Sequence, residues 1–126
     1  MTTMSETNNR KIYVCSALRG DMEQNIEKAK CYCRYVVEDF GYIPVAPHIY
    51  FTQFLNDCIP EEREFGIRAG LLLLLGCDEL WYFGDNITRG MTDEINYAIR
   101  HDIPVKYIPS QYYDAYLPGK EIIFEQ

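Results

Sequence analysis

Three short polar stretches hold the residue types with which this sequence could do chemistry. The first contains Ser16, Arg19 and Gly20, directly after an apolar run. A hydroxyl and a guanidinium both donate hydrogen bonds to phosphate oxygens, and glycine lets a ligand approach the backbone closely. The stretch matches neither GxGxxG nor GK[ST], so it predicts a phosphate-binding turn unlike the common dinucleotide and P-loop turns. An ordinary turn with a surface arginine is the alternative.

The second stretch contains two adjacent acids, Asp93 and Glu94, at the start of a helical pattern. The pattern predicts Thr92 as the helix cap and both acids in the first turn. A carboxylate at a helix N-terminus is expected to stay ionised, which suits a nucleophile better than a proton donor. Gly90, just before the helix, leaves room for a ligand. The alternative is that both acids only interact with the helix dipole.

The third stretch contains His48, which follows Pro47 at the end of a predicted strand. Histidine can transfer protons near neutral pH, so His48 is a candidate catalytic group. A hydrogen-bonded structural histidine is the alternative. His101 lies at the end of a predicted helix, where a cation suits the helix dipole, and is assigned no function.

Alternating strands and helices must position these residues. Continuous apolar runs and three- to four-residue periodicity predict strands at 11–16, 42–46, 79–83 and 104–108, and helices at 22–40, 60–75 and 92–101. We therefore predict an α/β fold, a flavodoxin- or Rossmann-like open parallel sheet of four to five strands flanked by helices. The segment EIIF at 121–124 is a candidate fifth strand or a docked edge. Ligands bind beyond the carboxyl ends of such strands, where all three polar stretches fall.

Length and composition narrow the functional classes. The 126 residues predict a single domain at 11–126, preceded by a polar, disordered tail at 1–10. A net charge of −7 argues against binding to a nucleic-acid polymer, because such binding needs a basic surface. No apolar run approaches the roughly 20 residues of a membrane span, and the N-terminus lacks a signal peptide's apolar stretch.

The five cysteines match no zinc or disulfide framework. They predict reduced thiols in a cytoplasmic protein. We therefore expect no metal site and no cofactor.

The three stretches together resemble the nucleoside 2-deoxyribosyltransferase-like superfamily. YVCSALRG at 13–20 resembles the family's Y-x-C-G-S-[IL]-R-G, and Ala46-Pro47-His48 resembles a second strand that ends in histidine. Asp78 matches an aspartate that begins the third strand, and Glu94, sixteen residues later, matches a glutamate that opens a helix. The branch that hydrolyses deoxynucleoside 5'-monophosphates looks closest.

The resemblance implies a catalytic mechanism. Glu94 would attack the anomeric carbon of a deoxyribose and displace the base, and water or a second base would then resolve the glycosyl-enzyme. Tyr13 would position the carboxylate, and His48 would assist departure of the base. The resemblance also implies a homo-oligomer, with segments 49–55 and 112–116 as candidate contact surfaces.

A second set of residues would bind the small-molecule nucleotide or nucleoside. Arg19, Ser16 and Gly20 would hold the 5'-phosphate. The remaining predicted binding residues come from the third loop: Asp85, Gly90 and Met91.

The chain departs from the family pattern at two places. Ser16 and Ala17 stand where the family has glycine and serine, and the position of a second acid, on the helix before the third strand, falls near Gly70. Three functions therefore stay open: an N-glycosidase or deoxyribosyltransferase, a non-catalytic protein that captures a nucleotide or ADP-ribose-like ligand, and an assembly protein with a vestigial pocket.

Overall fold

A four-stranded parallel sheet organises the computed structural model, which describes residues 9–117. The strands and helices are β1 (Lys11–Cys15), α1 (Met22–Phe40), β2 (Ile43–Val45), α2 (Pro47–Phe51), α3 (Pro60–Leu75), β3 (Glu79–Phe83), α4 (Arg89–Arg100) and β4 (Val105–Ile108). Two short 3-10 helices, Ser110–Tyr112 and Asp114–Tyr116, follow. The segment EIIF and most of the predicted N-terminal tail lie outside the described residues.

The strand order β2-β1-β3-β4 confirms the predicted open parallel α/β sheet. Chain connections run from β1 to one side and from β3 to the other, so the topological switch point lies between these two strands. Parallel sheets of this kind bind ligands beyond the carboxyl ends of the strands at the switch point. The expected ligand position is therefore close to the residues that follow β1 and β3.

The long helices begin and end for reasons that the sequence already contains. The side chain of Asp21 accepts a hydrogen bond from the Gln24 amide at the start of α1. Gly41 ends α1 with a φ of 69°, a left-handed conformation that glycine adopts without steric cost. Pro60 occupies the first turn of α3, where its missing N–H removes no helical hydrogen bond.

The start of α4 differs from the prediction. The helix begins at Arg89, and the side chain of Thr88 caps it by accepting a hydrogen bond from the Met91 amide. Thr92 is therefore inside the helix, and Glu94 lies in its second turn rather than its first. The dipole effect is concentrated in the first turn, so it acts on Glu94 less than predicted.

Two smaller differences concern helix contacts. Pro47 begins the short helix α2 instead of only ending a strand, which puts His48 on a helix. Ile99, an apolar residue at a helical spacing that favours an inward-facing position, is exposed on α4.

The sheet separates two hydrophobic cores, because alternate residues of β1 and β3 point to opposite faces. On the face covered by α1, the aromatic core is formed by Ile12, Val14, Ala29, Tyr32, Tyr35, Val36, Trp81, Phe83, Ile108 and Tyr113. On the face covered by α3 and α4, the site-side core is formed by Tyr13, Cys15, Leu74, Cys77, Leu80, Met91, Ala98 and Ile103.

Candidate functional site

A cleft of about 620 Å³ opens at the carboxyl edge of the sheet, on the face of the site-side core. Its walls come from the end of β1, from α2, from one side of α3 and from the first turns of α4. The volume is in the range of small-molecule sites. A second cavity of about 640 Å³ lies between the end of α1 and β4, but it is lined by none of the residues predicted to act on a ligand.

Tyr13 and Glu94 meet inside this cleft. The buried hydroxyl of Tyr13 donates a hydrogen bond to Oε2 of Glu94 across 81 residues of sequence. Tyr13 is the third residue of β1 and points toward α4, because the alternation of the strand directs it to the site-side face. This hydrogen bond fixes the orientation of the carboxylate at the base of the cleft.

Burial dominates the ionisation of Glu94. It raises the pKa of Glu94 to about 7, while hydrogen bonds from Tyr13 and Cys15 act in the opposite direction. The prediction that the helix N-terminus keeps Glu94 ionised is therefore wrong, because Glu94 sits in the second turn of α4 and burial disfavours its charged form. Both protonation states are present near neutral pH.

Ser16 and His48 form a second polar pair in the cleft. Oγ of Ser16 lies 3.0 Å from Nε2 of His48, so one hydroxyl and one imidazole share a hydrogen bond. Burial lowers the pKa of His48 to about 4. His48 is therefore a neutral imidazole at pH 7, and it is not an imidazolium acid at that pH.

Arg19 lies at the mouth of the cleft, beside Asp57 from the loop between α2 and α3. Nε of Arg19 donates to Oδ2 of Asp57 at 3.0 Å. Gly90 and Met91 also line the cleft, the first exposed and the second fully buried. The cleft thus brings together residues from all three predicted stretches.

Gly20 and Asp85 do not line the cleft. Gly20 has a φ of 102°, and a Cβ there would meet no atom within 4 Å. Its glycine is required by the backbone of the turn and not by a close approach. Asp85 is exposed and lies near Tyr32 and Tyr113, on the side of the aromatic core. The predicted ligand contacts of both residues are not supported by their placement.

The position predicted for the family's second acid does lie in the cleft, and it is a glycine. A Cβ on Gly70 would be 3.4 Å from the hydroxyl of Tyr13 and 3.7 Å from Cβ of Pro47. Of the nearby acids on α3, only Glu62 lines the cleft, and its Oε1 accepts a hydrogen bond from the Asn56 amide. The structure therefore places no free carboxylate of α3 beside Tyr13.

Sequence reasoning missed most of the wall made by α2 and α3. The missed residues include Phe51, Thr52, Leu55, Asp57, Arg63 and Ile67. One signal for this wall was the spacing of Gly66 and Gly70, four residues apart, which puts two positions without side chains on one side of α3. Both glycines line the cleft.

Residues 10–108 match a family model described as "Domain of unknown function (DUF7768)". The chain belongs to this family. No curated protein matches the chain significantly.

A solved structure with a similar fold is the 2-deoxyribosyltransferase of Bacillus psychrosaccharolyticus. The match has a TM-score of 0.62 and 20% sequence identity, and it covers 90% of this chain and 77% of the other. It confirms the 2-deoxyribosyltransferase-like fold. The closer resemblance to hydrolases of deoxynucleoside 5'-monophosphates stays a prediction. Within residues 9–117, no helix is both long and apolar enough to cross a membrane.

Proposed function

We propose that the protein is an N-glycosidase or deoxyribosyltransferase for a (deoxy)nucleoside 5'-monophosphate-like substrate, with Glu94 as the nucleophile. The observation that carries this proposal is the hydrogen bond from Tyr13 to Glu94 in a cleft at the carboxyl edge of the sheet. A carboxylate that is oriented, partly desolvated and open to a small-molecule cleft is equipped for covalent catalysis. The similarity in fold to a 2-deoxyribosyltransferase supports the same chemistry.

The reaction begins with the ionised form of Glu94. A carboxylate oxygen attacks the anomeric carbon, the carbon–nitrogen bond breaks, and the bonding electrons leave with the base. Water or a second base then attacks the same carbon and releases Glu94 from the glycosyl ester, and the proton that this nucleophile loses balances the one gained by the departed base. Tyr13 keeps the attacking carboxylate oriented, while Ser16 and Arg19 bind the 5'-phosphate.

His48 contributes to this scheme as a neutral group. Its low pKa, caused by burial, means that it donates or accepts a hydrogen bond at pH 7 but does not deliver a proton as an imidazolium ion. With Gly70 at the position of the second acid, the reaction favours substrates whose base departs without a strong general acid.

The glycine at position 70 also favours a second candidate function. A protein that keeps the cleft but lacks the second acid would capture a nucleotide or an ADP-ribose-like ligand without turnover. In that case Tyr13 and Glu94 would contribute hydrogen bonds to the ligand instead of chemistry.

The test compares the wild type with Glu94→Gln on a panel of nucleoside and deoxynucleoside 5'-monophosphates, with free base measured by chromatography. We expect the wild type to release base and Glu94→Gln to be slower by at least about 10³-fold, because the amide is a poor nucleophile. Glu27→Gln, on the exposed side of α1, is the matched control and should keep full activity.

Two results would contradict the proposal. An equally active Glu94→Gln protein would remove the nucleophile assignment. The absence of base release by the wild type, both without and with a second base as acceptor, together with a ligand-induced rise in Tm, would establish the binding function instead.

We further propose that the protein is a cytoplasmic homo-oligomer. Tyr50 and Phe54 of segment 49–55 are exposed, as is Tyr112 of segment 112–116. Exposed aromatic side chains of this kind are enriched at protein interfaces. Light scattering on the purified protein should give a mass of two or more 14.8 kDa chains, and the mass of a single chain would contradict the oligomer.

A further inference from the structure

A second arginine stands beside Arg19 at the mouth of the cleft. Arg63, on α3, lines the same cleft and approaches the same carboxylate oxygen. Nε of Arg19 lies 3.0 Å from Oδ2 of Asp57, and Nε of Arg63 lies 3.9 Å from it. One carboxylate oxygen therefore holds two guanidinium groups next to each other, although they come from different elements of the fold.

The arrangement leaves hydrogen-bond donors available at the rim. Each contact with Asp57 is made by Nε, so among residues 9–117 the terminal amino groups of both arginines can donate to a further acceptor. The side chain of Asp57 is 15% exposed, whereas those of Arg19 and Arg63 are 59% and 41% exposed. Glu62, another acid that lines the cleft, accepts a hydrogen bond from the Asn56 amide.

We propose that Arg63 and Arg19 together form the subsite for the phosphoryl group of a phosphate monoester. Two guanidinium groups match a doubly charged phosphate better than one, and their planar forks bind its oxygens with defined geometry. Asp57 holds the pair together in the free protein and opposes the incoming anion by like-charge repulsion. This inference rests on the proposed function only in taking a 5'-monophosphate as the ligand, and it assigns Arg63 to that ligand.

Calorimetric binding of a deoxynucleoside 5'-monophosphate and of its unphosphorylated nucleoside, at one fixed salt concentration, tests the subsite. Arg63→Ala should weaken binding of the monophosphate about tenfold and leave binding of the nucleoside unchanged. The matched control is Arg68→Ala, since Arg68 is on the same helix, pairs with Glu64 and does not line the cleft. Equal affinities of Arg63→Ala and Arg68→Ala for the monophosphate would overturn the proposal, as would the absence of monophosphate binding by the wild type.

The Asp57→Asn variant tests whether the carboxylate of Asp57 weakens phosphate binding by like-charge repulsion. The amide oxygen can still accept the hydrogen bond from Nε of Arg19, but the negative charge is gone, so monophosphate binding should tighten several-fold. Weaker or unchanged binding would overturn the competing role of Asp57.

Binding and turnover separate this inference from the proposed function. Arg63-dependent binding of the monophosphate without release of base would support the subsite and contradict the proposed enzymatic activity. Release of base that is equally fast in Arg63→Ala and Arg68→Ala, with equal monophosphate affinities, would support the enzymatic activity and contradict the subsite.

Discussion

The two faces of the sheet use buried tyrosines in different ways. In the aromatic core, Tyr32 stacks on Phe83 with ring centroids 4.6 Å apart, and Tyr113 meets the same ring at 5.4 Å. The hydroxyl of Tyr113 accepts a hydrogen bond from the Gly84 amide at 3.1 Å. In the site-side core, the hydroxyl of Tyr13 donates to the carboxylate of Glu94. One face therefore packs rings against rings, and the other joins a ring to an ionisable group.

Tyr13 and Tyr113 are equally buried and differ in their partners, and the carboxylate partner of Tyr13 is the basis of the role proposed for it. Rings that pack on rings stabilise the fold and fill the space between the sheet and α1. A buried carboxylate with a raised pKa costs stability when it ionises, and such costs are common at functional sites. Substitutions on the two faces should therefore have separate effects on stability and on function.

The largest expected effect is on the aromatic core. Phe83→Ala removes a fully buried ring that contacts Tyr32, Tyr35 and Tyr113, so the free energy of unfolding should fall by about 3–5 kcal/mol. Urea denaturation measures this change, with Leu72→Ala as the exposed control, expected within about 0.5 kcal/mol. Ligand affinity of the folded variant should match the wild type. A loss of ligand affinity in the folded Phe83→Ala variant would show that the two faces of the sheet are coupled.

The next effect concerns the stability cost of Glu94. Its pKa is raised in the folded state, so its stabilising contribution is present below its unfolded value near 4.5 and is lost as pH rises through about 7. Glu94→Gln has no carboxyl group to ionise, so its free energy of unfolding at pH 8 should exceed that of the wild type by about 1–3 kcal/mol. The two proteins should be nearly equally stable at pH 4. Urea denaturation across this range measures the difference, and equal stabilities at pH 8 would contradict the buried carboxylate.

His48 should produce the opposite slope in the same experiment. Its pKa is lowered to about 4, so its contribution is present above its unfolded value near 6.5 and is lost as pH falls through about 4. Between about pH 4.5 and 6.5 the slopes of Glu94 and His48 oppose each other in the wild type. The stability of Glu94→Gln should therefore fall more steeply with acidification than that of the wild type.

The smallest effect comes from removing one oxygen from a tyrosine on each face. Tyr113→Phe leaves the Gly84 amide without this acceptor and should cost about 1–2 kcal/mol of stability, with no change in activity.

Tyr13→Phe should lower kcat/KM about 10- to 100-fold, because the carboxylate loses its orientation. The hydrogen bond from Tyr13 lowers the pKa of Glu94, so the rise of kcat/KM with pH should also move to higher pH in Tyr13→Phe. An unchanged pH profile would separate Tyr13 from the function of Glu94.

The elements were predictable where local chemistry decides them. Asp21, Gly41 and Pro60 mark helix ends through capping, left-handed backbone geometry and a missing amide, none of which depends on distant residues. The start of α4 was predicted wrongly because Thr88 and Thr92 are both good caps by sequence. The extended backbone of Thr88 after β3 decides between them.

The sequence predicted that the three polar stretches meet at the candidate site, but not most of the wall formed by α2 and α3, and not the ionisation of the site. Ser16, His48 and Glu94 were placed together by one rule, that ligands bind at the carboxyl edge of a parallel sheet. The pKa values of His48 and Glu94 depend on how much protein covers them, and local sequence does not reveal this cover. Arg63 was missed because it stands among the charged residues that open α3, which indicate a helix start and not the wall of a cleft.

The sequence by itself determined the open parallel sheet and the edge at which chemistry-bearing residues collect, since hydrophobic periodicity and turn chemistry are local properties. Tertiary structure alone decided which partner each side chain meets. It joined Tyr13 to Glu94, held Arg19 and Arg63 on the single carboxylate of Asp57, and left Gly70 beside the hydroxyl of Tyr13. These contacts arise from packing between elements far apart in the chain, where burial and distance set the energies.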